Sequence, residues 1–599
     1  MNNRRLLIVL AFCLVTLPMM AQNDTVLFSA PGGFYEDVFA LQLNNNHPQN
    51  HIRYTTNGSC PTAHSRLYKN LIQLDSSMFS KSNIYTIVNS IPSQFYLSES
   101  IKHAIVIRAA VFDENDNCVS QTVTNTYCIR ALGCNLHGLP MLSIVADSLA
   151  LFDYETGIFV PGVNYDPSDS THTGNYFLKG TEWERPINLE FYDIDNQGIN
   201  QLCGMRTHGG ASRWFQQKGM KLYAREEYGK KYFLYRFFKD SPYVKFKHLN
   251  LHSFRCSNWL HTGGNEYIAQ SIAHNLDIDA MGVRQTVVFL NGEYWGIYTL
   301  EEAADEHYLK DHYDADLDSV VIIKYWGVPN YGDPTEWREF LIWMQDADLT
   351  QPEDSAFAYS HVDVPSFIDY MLLEIFTANV DWPNNNVKIS QMKPSAPFRW
   401  MLYDTDGCFS HPTFAAMEHA LGQNTNSVVF SRFLDNKHFR YQFCTRYEEL
   451  SKTYFSYNYM KSLLDQYREI VEDEVETQYQ RFRFPSSMDR YYADIERTEA
   501  FFSQRDQYFR AEIKDYLGID EHHAATVSCY PNPANNVLFV ETRLIASLPN
   551  QTYRITNLMG QTLLQGLITD EIQQIDIASL PAGMYFISVG NLTRKFVVE

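Results

Sequence analysis

A multidomain chain is predicted, with an N-terminal β-sandwich, a central α+β domain of two lobes, and a small C-terminal β-sandwich. Three observations predict it. Residues 25–130 and 526–599 alternate apolar and polar side chains between Gly, Asn and Pro breaks, the period of half-buried strands. Residues 137–520 place strand-like runs first and helix-period runs after them, the order of an α+β domain with a cleft. A length of 599 residues also exceeds what one core organises.

Ahead of these domains, residues 1–22 join Arg4 and Arg5 to a short apolar run, with Ala21 near a plausible cut. That is the make-up of a secretory signal peptide, too short in its apolar part for a membrane span. Cys13 lies inside the apolar run, whereas a lipoprotein signal needs its cysteine at the cut. No later stretch is apolar enough to cross a bilayer. The formal net charge of −22 opposes general binding to nucleic acid or anionic membrane, which require cationic surface. It still leaves room for a local basic site that holds a phosphate ligand. The ten cysteines include no Cys-x-x-Cys pair, which argues against zinc. Export into an oxidising compartment permits disulfides, and Cys118, Cys128 and Cys134 are the first candidates.

In the first domain, HIRYTTNGSCPT carries an Asn57-Gly58 turn, and AIVIRAAVFDENDN is followed by VSQTVTNTYCI. FSAPGGFY, IRYTTNGSCPT, IRAAVF and TVTNTY together resemble the immunoglobulin-like domain at the C-terminal end of chitobiases and β-hexosaminidases. The resemblance implies an accessory module. In the last domain, YPNPANNVLFVE, YRITNLMGQTLLQG, IQQIDIASLPAGMYFISV and RKFVVE alternate in the same manner. Tyr530-Pro531-Asn532-Pro533, Leu558-Met559-Gly560, and Leu580 through Gly583 to Tyr585 resemble the type A sorting domain of type IX secretion substrates. That resemblance implies the type IX secretion machinery as a partner and a final place at the cell surface or outside the cell.

The central domain opens on LPMLSIVAD, and NLEFYDIDNQG and TVVFLNGEYWGIYTL read as hairpins. From about residue 361 the pattern turns helical. VPSFIDYMLLEIFTAN has an apolar helical face with Asp363 and Pro365 as start signals, and residues 455–518 are largely helical. NVDWPNNNVK directly follows the first of these helices, and WMLYDTDGCF comes about fifteen residues later. Phosphoryl transfer needs a carboxylate at the nucleophile, oxygen ligands for a divalent metal, and a lysine held by an acid against the phosphates. Protein kinases use an Asp, an Asn five residues on, and a second Asp on a later turn. Asp381 and Asn386 have that spacing, and Asp404 or Asp406 supplies the later acid. If the strand from Arg399 continued, Asp404 and Asp406 would share one face. Asn386 with either acid would suit Mg²⁺. Asn379 and Val380 replace the usual His-Arg, and Asp-Thr-Asp-Gly replaces Asp-Phe-Gly. An ordinary eukaryotic kinase is therefore excluded and an atypical one is not.

LPMLSIVAD, ETGIFVPG, WERPINLEFYD, GMRTHGGASRWFQQKGMKLYAREEYG, FLNGEYWGIYTLEEAADEHYL, DWPNNNVK and WMLYDTDGCF, in that order, resemble the CotH kinase family. The resemblance implies a divergent protein-kinase-like fold that binds ATP with Mg²⁺ or Mn²⁺. It also implies Lys218 as the phosphate-contacting lysine, Glu302 as its ion-pair partner, Asp381 as the catalytic acid/base, and Asn386 and Asp404 as metal ligands. Lys221, Glu301 and Asp406 are the open alternatives. The turn at Gly209 and Gly210 could offer backbone N–H groups to phosphates, or it is a plain hairpin turn.

There is no His-Glu-x-x-His and no Gly-x-Ser-x-Gly, so a zinc protease and a serine hydrolase are not supported. Asp404 and Asp406 on one strand would not flank a glycosidic bond as acid and nucleophile must. His307 and His312 read as helix-surface residues. The expectation is an exported atypical kinase that acts on Ser or Thr hydroxyls of a protein acceptor. The competing expectation is a non-catalytic adhesin or scaffold binding polysaccharide or protein, because extracellular ATP is scarce and aromatic residues make up 14% of the chain.

Overall fold

The computed structural model describes residues 24–98, 101–169, 172–255, 262–324, 327–422, 425–517, 526–543, 552–568, 572–590 and 592–599. The expected signal peptide, 1–22, lies outside the described residues. The chain forms two compact units, Met1–Ser82 with His103–Asn135, and Asn83–Lys102 with Leu136–Glu599.

The first unit is β-rich. A five-stranded sheet runs in the order Gly33–Tyr35, Val123–Ile129, Ile105–Phe112, His51–Thr55 and Arg66–Leu67, beside two two-stranded sheets. Its core takes Ile105, Ile107, Ala109 and Val111 from one face of a single strand, packed with Ile52 and Tyr54. Cys128 and Cys134 form a disulfide with Cα atoms 5.3 Å apart. Cys118, the third candidate, is a free, exposed thiol.

Residues 83–102 fall within the expected first domain, yet they pack in the second unit. The Ile84 and Tyr85 N–H groups donate to the Glu293 carboxylate at 2.9 and 3.2 Å. Asn89 Nδ2 donates to Gln216 O at 2.9 Å, and Tyr96 and Gln216 exchange two hydrogen bonds. Lys102 Nζ lies 2.8 Å from both oxygens of Glu474, a carboxylate that is fully buried. Turn-rich sequence of this kind has no strand period to assign it to either neighbour.

The second unit contains a closed barrel of seven strands: Met141–Val145, Arg185–Tyr192, Gly198–His208, Gly219–Tyr223, His248–Ser253, Glu293–Glu302 and Val283–Leu290. Neighbours are antiparallel except at the closure, where Met141–Val145 runs parallel to Val283–Leu290. Both expected hairpins are present. One turns at Asn291 and Gly292, with φ of 49° and 84°, the left-handed pair that matches strand twist. Alternation explains the closure. Leu142, Ile144, Leu189, Phe191, Met220, Leu222, Leu249, Leu251 and Leu300 fill one core. The intervening residues Lys221, Asn250, His252 and Glu301 lie on the opposite faces of their strands.

A four-stranded antiparallel sheet follows, in the order Val328–Tyr331, Val321–Lys324, Lys388–Gln391, Arg399–Met401. The helix Val364–Phe376 starts at Asp363, whose side chain caps the Ser366 N–H, and nearly all of it is buried. It anchors a helical core with Tyr457–Phe482 and Met488–Leu517. Helices also begin before residue 361, at Asn265–Ala273, Glu306–Tyr313, Thr335–Asp346 and Pro352–His361. Their shorter apolar stripes had not marked them. The last unit segment is a three-stranded and a four-stranded sheet sharing a core of Val527, Leu538, Val540, Ile555 and Ile587.

Candidate functional site

Two loops form the acid side of the site, and the end of one helix fixes both. Glu374, in the last turn of Val364–Phe376, accepts from Asn379 Nδ2 at 2.8 Å, and Asn379 Oδ1 accepts from the Asp381 N–H at 3.2 Å. The second loop is laced to the first, because Val380 N–H donates to Gly407 O at 3.2 Å. The Phe409 N–H also donates to Thr377 O at 2.6 Å. A Cβ at Gly407 would sit 2.6 Å from Asn379 Oδ1, so only glycine lets the loops approach this closely. The strand ends at Met401, and Asp404 and Asp406 lie on the loop beyond it. Asp404 itself adopts φ 58° and Asn386 φ 53°, left-handed positions that Asp and Asn tolerate better than most residues.

These loops bring Asp381, Asn386 and Asp404 together. Asn386 Nδ2 donates both to Asp381 Oδ2 at 3.0 Å and to Asp404 O at 3.1 Å. Asp381 Oδ2 also lies 3.3 Å from Asn385 Nδ2. Partial desolvation lifts the Asp381 carboxyl above the usual range, against the pull of these two amides. The helix Asn265–Ala273 braces the second loop from below. Asn265 Nδ2 donates to Asp406 O at 2.8 Å and Cys408 O at 2.9 Å, and Thr405 donates to Glu266 through its N–H and hydroxyl.

No described residue donates a hydrogen bond to the carboxylate of Asp404 or Asp406. Burial raises both, and each acid raises the other or is raised by Asp381, Glu301 or Glu266 nearby. Among the described residues no three His, Cys, Asp or Glu side chains are grouped to hold a metal. The set here is two unpartnered carboxylates and one amide. That all-oxygen set fits magnesium, an ion that keeps water and substrate phosphates in its shell.

The barrel supplies the basic side. Lys221 lies opposite Asn250 in the ladder, and Asn250 lies opposite Glu301, so Lys221 and Glu301 share one face across three strands. Lys221 Nζ pairs with Asp305 Oδ2 at 2.8 Å. Burial pulls this ammonium down, but Asp305 outweighs it and holds the lysine above its ordinary value. Glu301 pairs with His252 at 3.1 Å. Lys218 and Glu302 have other partners. Lys218 is 1% exposed, and its Nζ donates to Arg213 O and Phe215 O, each at 2.7 Å. Its ammonium also lies 4.1 Å over the Tyr176 ring. Glu302 bonds His312 at 2.8 Å. Gly209 takes φ 107°, and its carbonyl accepts from Arg213 Nε at 2.6 Å. Gly210 has open space around its Cα.

The sequence profile of the CotH kinase protein family matches residues 205–509, just over half of the chain. The chain belongs to the CotH kinase family. Residues 528–599 match the secretion system C-terminal sorting domain, and residues 30–124 match the chitobiase/β-hexosaminidase C-terminal domain. No curated protein matches the chain. Among solved structures it is similar to the Helicobacter pylori proinflammatory kinase CtkA, at 10% identity and TM-score 0.23, over 47% of this chain and 97% of that one. It is also similar to the golgi casein kinase, at 9% identity and TM-score 0.21, over 54% of this chain and 71% of that one.

Sequence reasoning missed several residues beside the groups of this candidate site. Asp305 caps the helix Glu306–Tyr313 through the His307 N–H, and it also accepts from His248 at 2.8 Å. An Asp just before a helix is a legible cap signal, but its bond to Lys221 depends on the barrel. Lys388 ends the quoted NVDWPNNNVK run. Its Nζ donates to Ala304 O at 2.6 Å, and burial with Lys324 and Lys221 pulls it down to about 7. Glu266 had no sequence signal.

Glu374 is expected to make the stability of this family member depend on pH. Burial pushes its carboxyl from 4.5 to about 8. Between those values the native state binds a proton that the unfolded state does not, so stability is lost as pH rises through that window. Glu374→Gln keeps an acceptor for Asn379 and removes the titration. The variant is expected to melt higher than the parent above pH 8 and to flatten the melting-temperature profile. Parallel profiles between pH 5 and 9 would contradict this.

Proposed function

We propose that this CotH kinase is an exported phosphotransferase that binds ATP with Mg²⁺ or Mn²⁺ and phosphorylates Ser or Thr hydroxyls of a protein acceptor. The reading is carried by the junction in which Asn386 bonds Asp381 and the Asp404 backbone, beside the carboxylates of Asp404 and Asp406, to which no described residue donates. Asp381 would orient the acceptor hydroxyl and take its proton, and the elevated position of its carboxyl brings it closer to a working base. Asn386, Asp404 and Asp406 would hold the metal. When bound, the metal would neutralise charge on the β- and γ-phosphates. Of the two lysine candidates, Lys221, on the barrel face it shares with Glu301, is favoured for phosphate contact over Lys218, whose ammonium is buried and held by two backbone carbonyls. Asp305 would hold Lys221 in place, with Glu301 preferred to Glu302 on the same face. The Gly209-Gly210 turn would place its N–H groups toward the phosphates.

The sorting-domain match supports passage through the type IX secretion machinery to the surface or exterior. Among the described residues no helix is long and apolar enough to cross a membrane. The test is the melting temperature of the full chain with millimolar ATP and MnCl₂. A ligand that binds only the folded state raises it, by about 2.7 kcal/mol of stability at a hundredfold excess over Kd. No shift would favour the non-catalytic scaffold.

A further inference from the structure

Lys324 and Lys388 stand directly opposite each other in an antiparallel ladder. Like charges in that position destabilise a sheet, so the pair needs a reason. Lys388 is fixed in place by the Ala304 carbonyl at 2.6 Å and by the Tyr403 ring, 4.0 Å from its ammonium. Neither contact neutralises its charge. Lys324 is half-buried, and no hydrogen bond or ion pair from a described residue reaches its ammonium. Its electrostatic neighbours are Lys179, Lys221 and Arg213, all cations, with Asp404 as the opposing charge. Lys221 differs, because Asp305 already compensates it. Lys324 thus has no direct anionic partner among the described residues, and Asp404 acts on it only at longer range.

We infer that Lys324, with Lys388 beside it, is a second anion subsite that takes the polyphosphate tail of the nucleotide. Its effect would be to select triphosphates over monophosphates. The inference rests on the nucleotide-binding reading above. The physical driver is the burial and mutual repulsion that disfavour charge on this lysine pair, which a multiply charged anion beside it relieves. Arg213, whose guanidinium also holds the Gly209 carbonyl, would extend the same positive field to the glycine turn. Asp404 opposes this field at Lys324, and Asp305 and Glu301 oppose it at Lys388, yet both lysines stay below their ordinary values, so an anionic ligand has charge left to offset.

Calorimetric titration of the full chain with Mn-ATP, Mn-tripolyphosphate and AMP tests this, using Lys324→Met and Lys324→Arg. In Lys324→Met, Mn-ATP and Mn-tripolyphosphate are expected to bind at least about tenfold more weakly, with AMP little changed. Lys324→Arg is expected to restore most of the affinity. The ligand-free melting temperature of Lys324→Met should equal or exceed that of the parent, since a repulsion has been removed. A parent that binds Mn-ATP, with Lys324→Met binding it equally well, overturns the subsite and leaves the kinase reading standing. A lower ligand-free melting temperature with undiminished affinity marks Lys324 as structural and also overturns it. A parent that binds neither Mn-ATP nor Mn-tripolyphosphate overturns both proposals.

Discussion

Asp404→Ala is expected to abolish metal-dependent ATP binding while the chain stays folded. The carboxylate accepts no hydrogen bond from a described residue, so its loss breaks no contact of the fold. It also removes a charge that burial and the neighbouring acids disfavour. Working against this, alanine at φ 58° costs about 1–2 kcal/mol. Asp404→Asn avoids that penalty and is the paired variant. Both should lower phosphoryl transfer by about a hundredfold or more, the usual consequence of removing one preorganised group that stabilises transferring charge. Calorimetry with Mn-ATP and labelled-phosphate transfer to a mixed protein acceptor read the result. Undiminished ATP binding in Asp404→Ala would remove the metal-site assignment.

Lys218→Met and Lys221→Met are expected to fail in opposite ways. Lys218 supplies the donor for two buried carbonyls, Arg213 O and Phe215 O. Methionine leaves both unsatisfied, at about 1–3 kcal/mol each, and it loses the cation–π contact with Tyr176, about 1–2 kcal/mol. The melting temperature should fall by about 5 °C or more. Lys221→Met leaves Asp305 still bonded to His248 and to the His307 N–H, so the fold survives better. Transfer activity should drop by about a hundredfold or more. If Lys218→Met melts normally yet loses ATP binding, Lys218 and not Lys221 is the phosphate lysine.

The proximity of the two acidic loops was legible before the structure. Asp381, Asn386 and Asp404 occur in kinase order at kinase spacing, and the loops join them through one asparagine side chain. What spacing does not carry is which face a residue takes. Lys218 and Lys221 are three apart and Glu301 and Glu302 are adjacent, so one member of each pair must point away from the other in extended chain. Only the barrel register tells which pair shares a face. Asp305 and Lys388 sat inside quoted runs, but their partners lie on elements distant in sequence. The strand stops at Met401, before Asp404 and Asp406, so the shared face that its continuation would have given them does not form. The Cys128–Cys134 pairing was among the candidates, and Cys118 was set apart only by folding.

The excursion of residues 83–102 governs how this protein can be trimmed. A shortened chain beginning at Leu136 would discard the donors that satisfy Glu293 and the partner that brackets Gln216. Each buried group stripped in this way costs about 1–3 kcal/mol. Domain-by-domain expression would therefore produce an unstable kinase-family fragment for reasons unrelated to its chemistry. Inactivity of such a fragment says nothing against the proposed phosphotransfer.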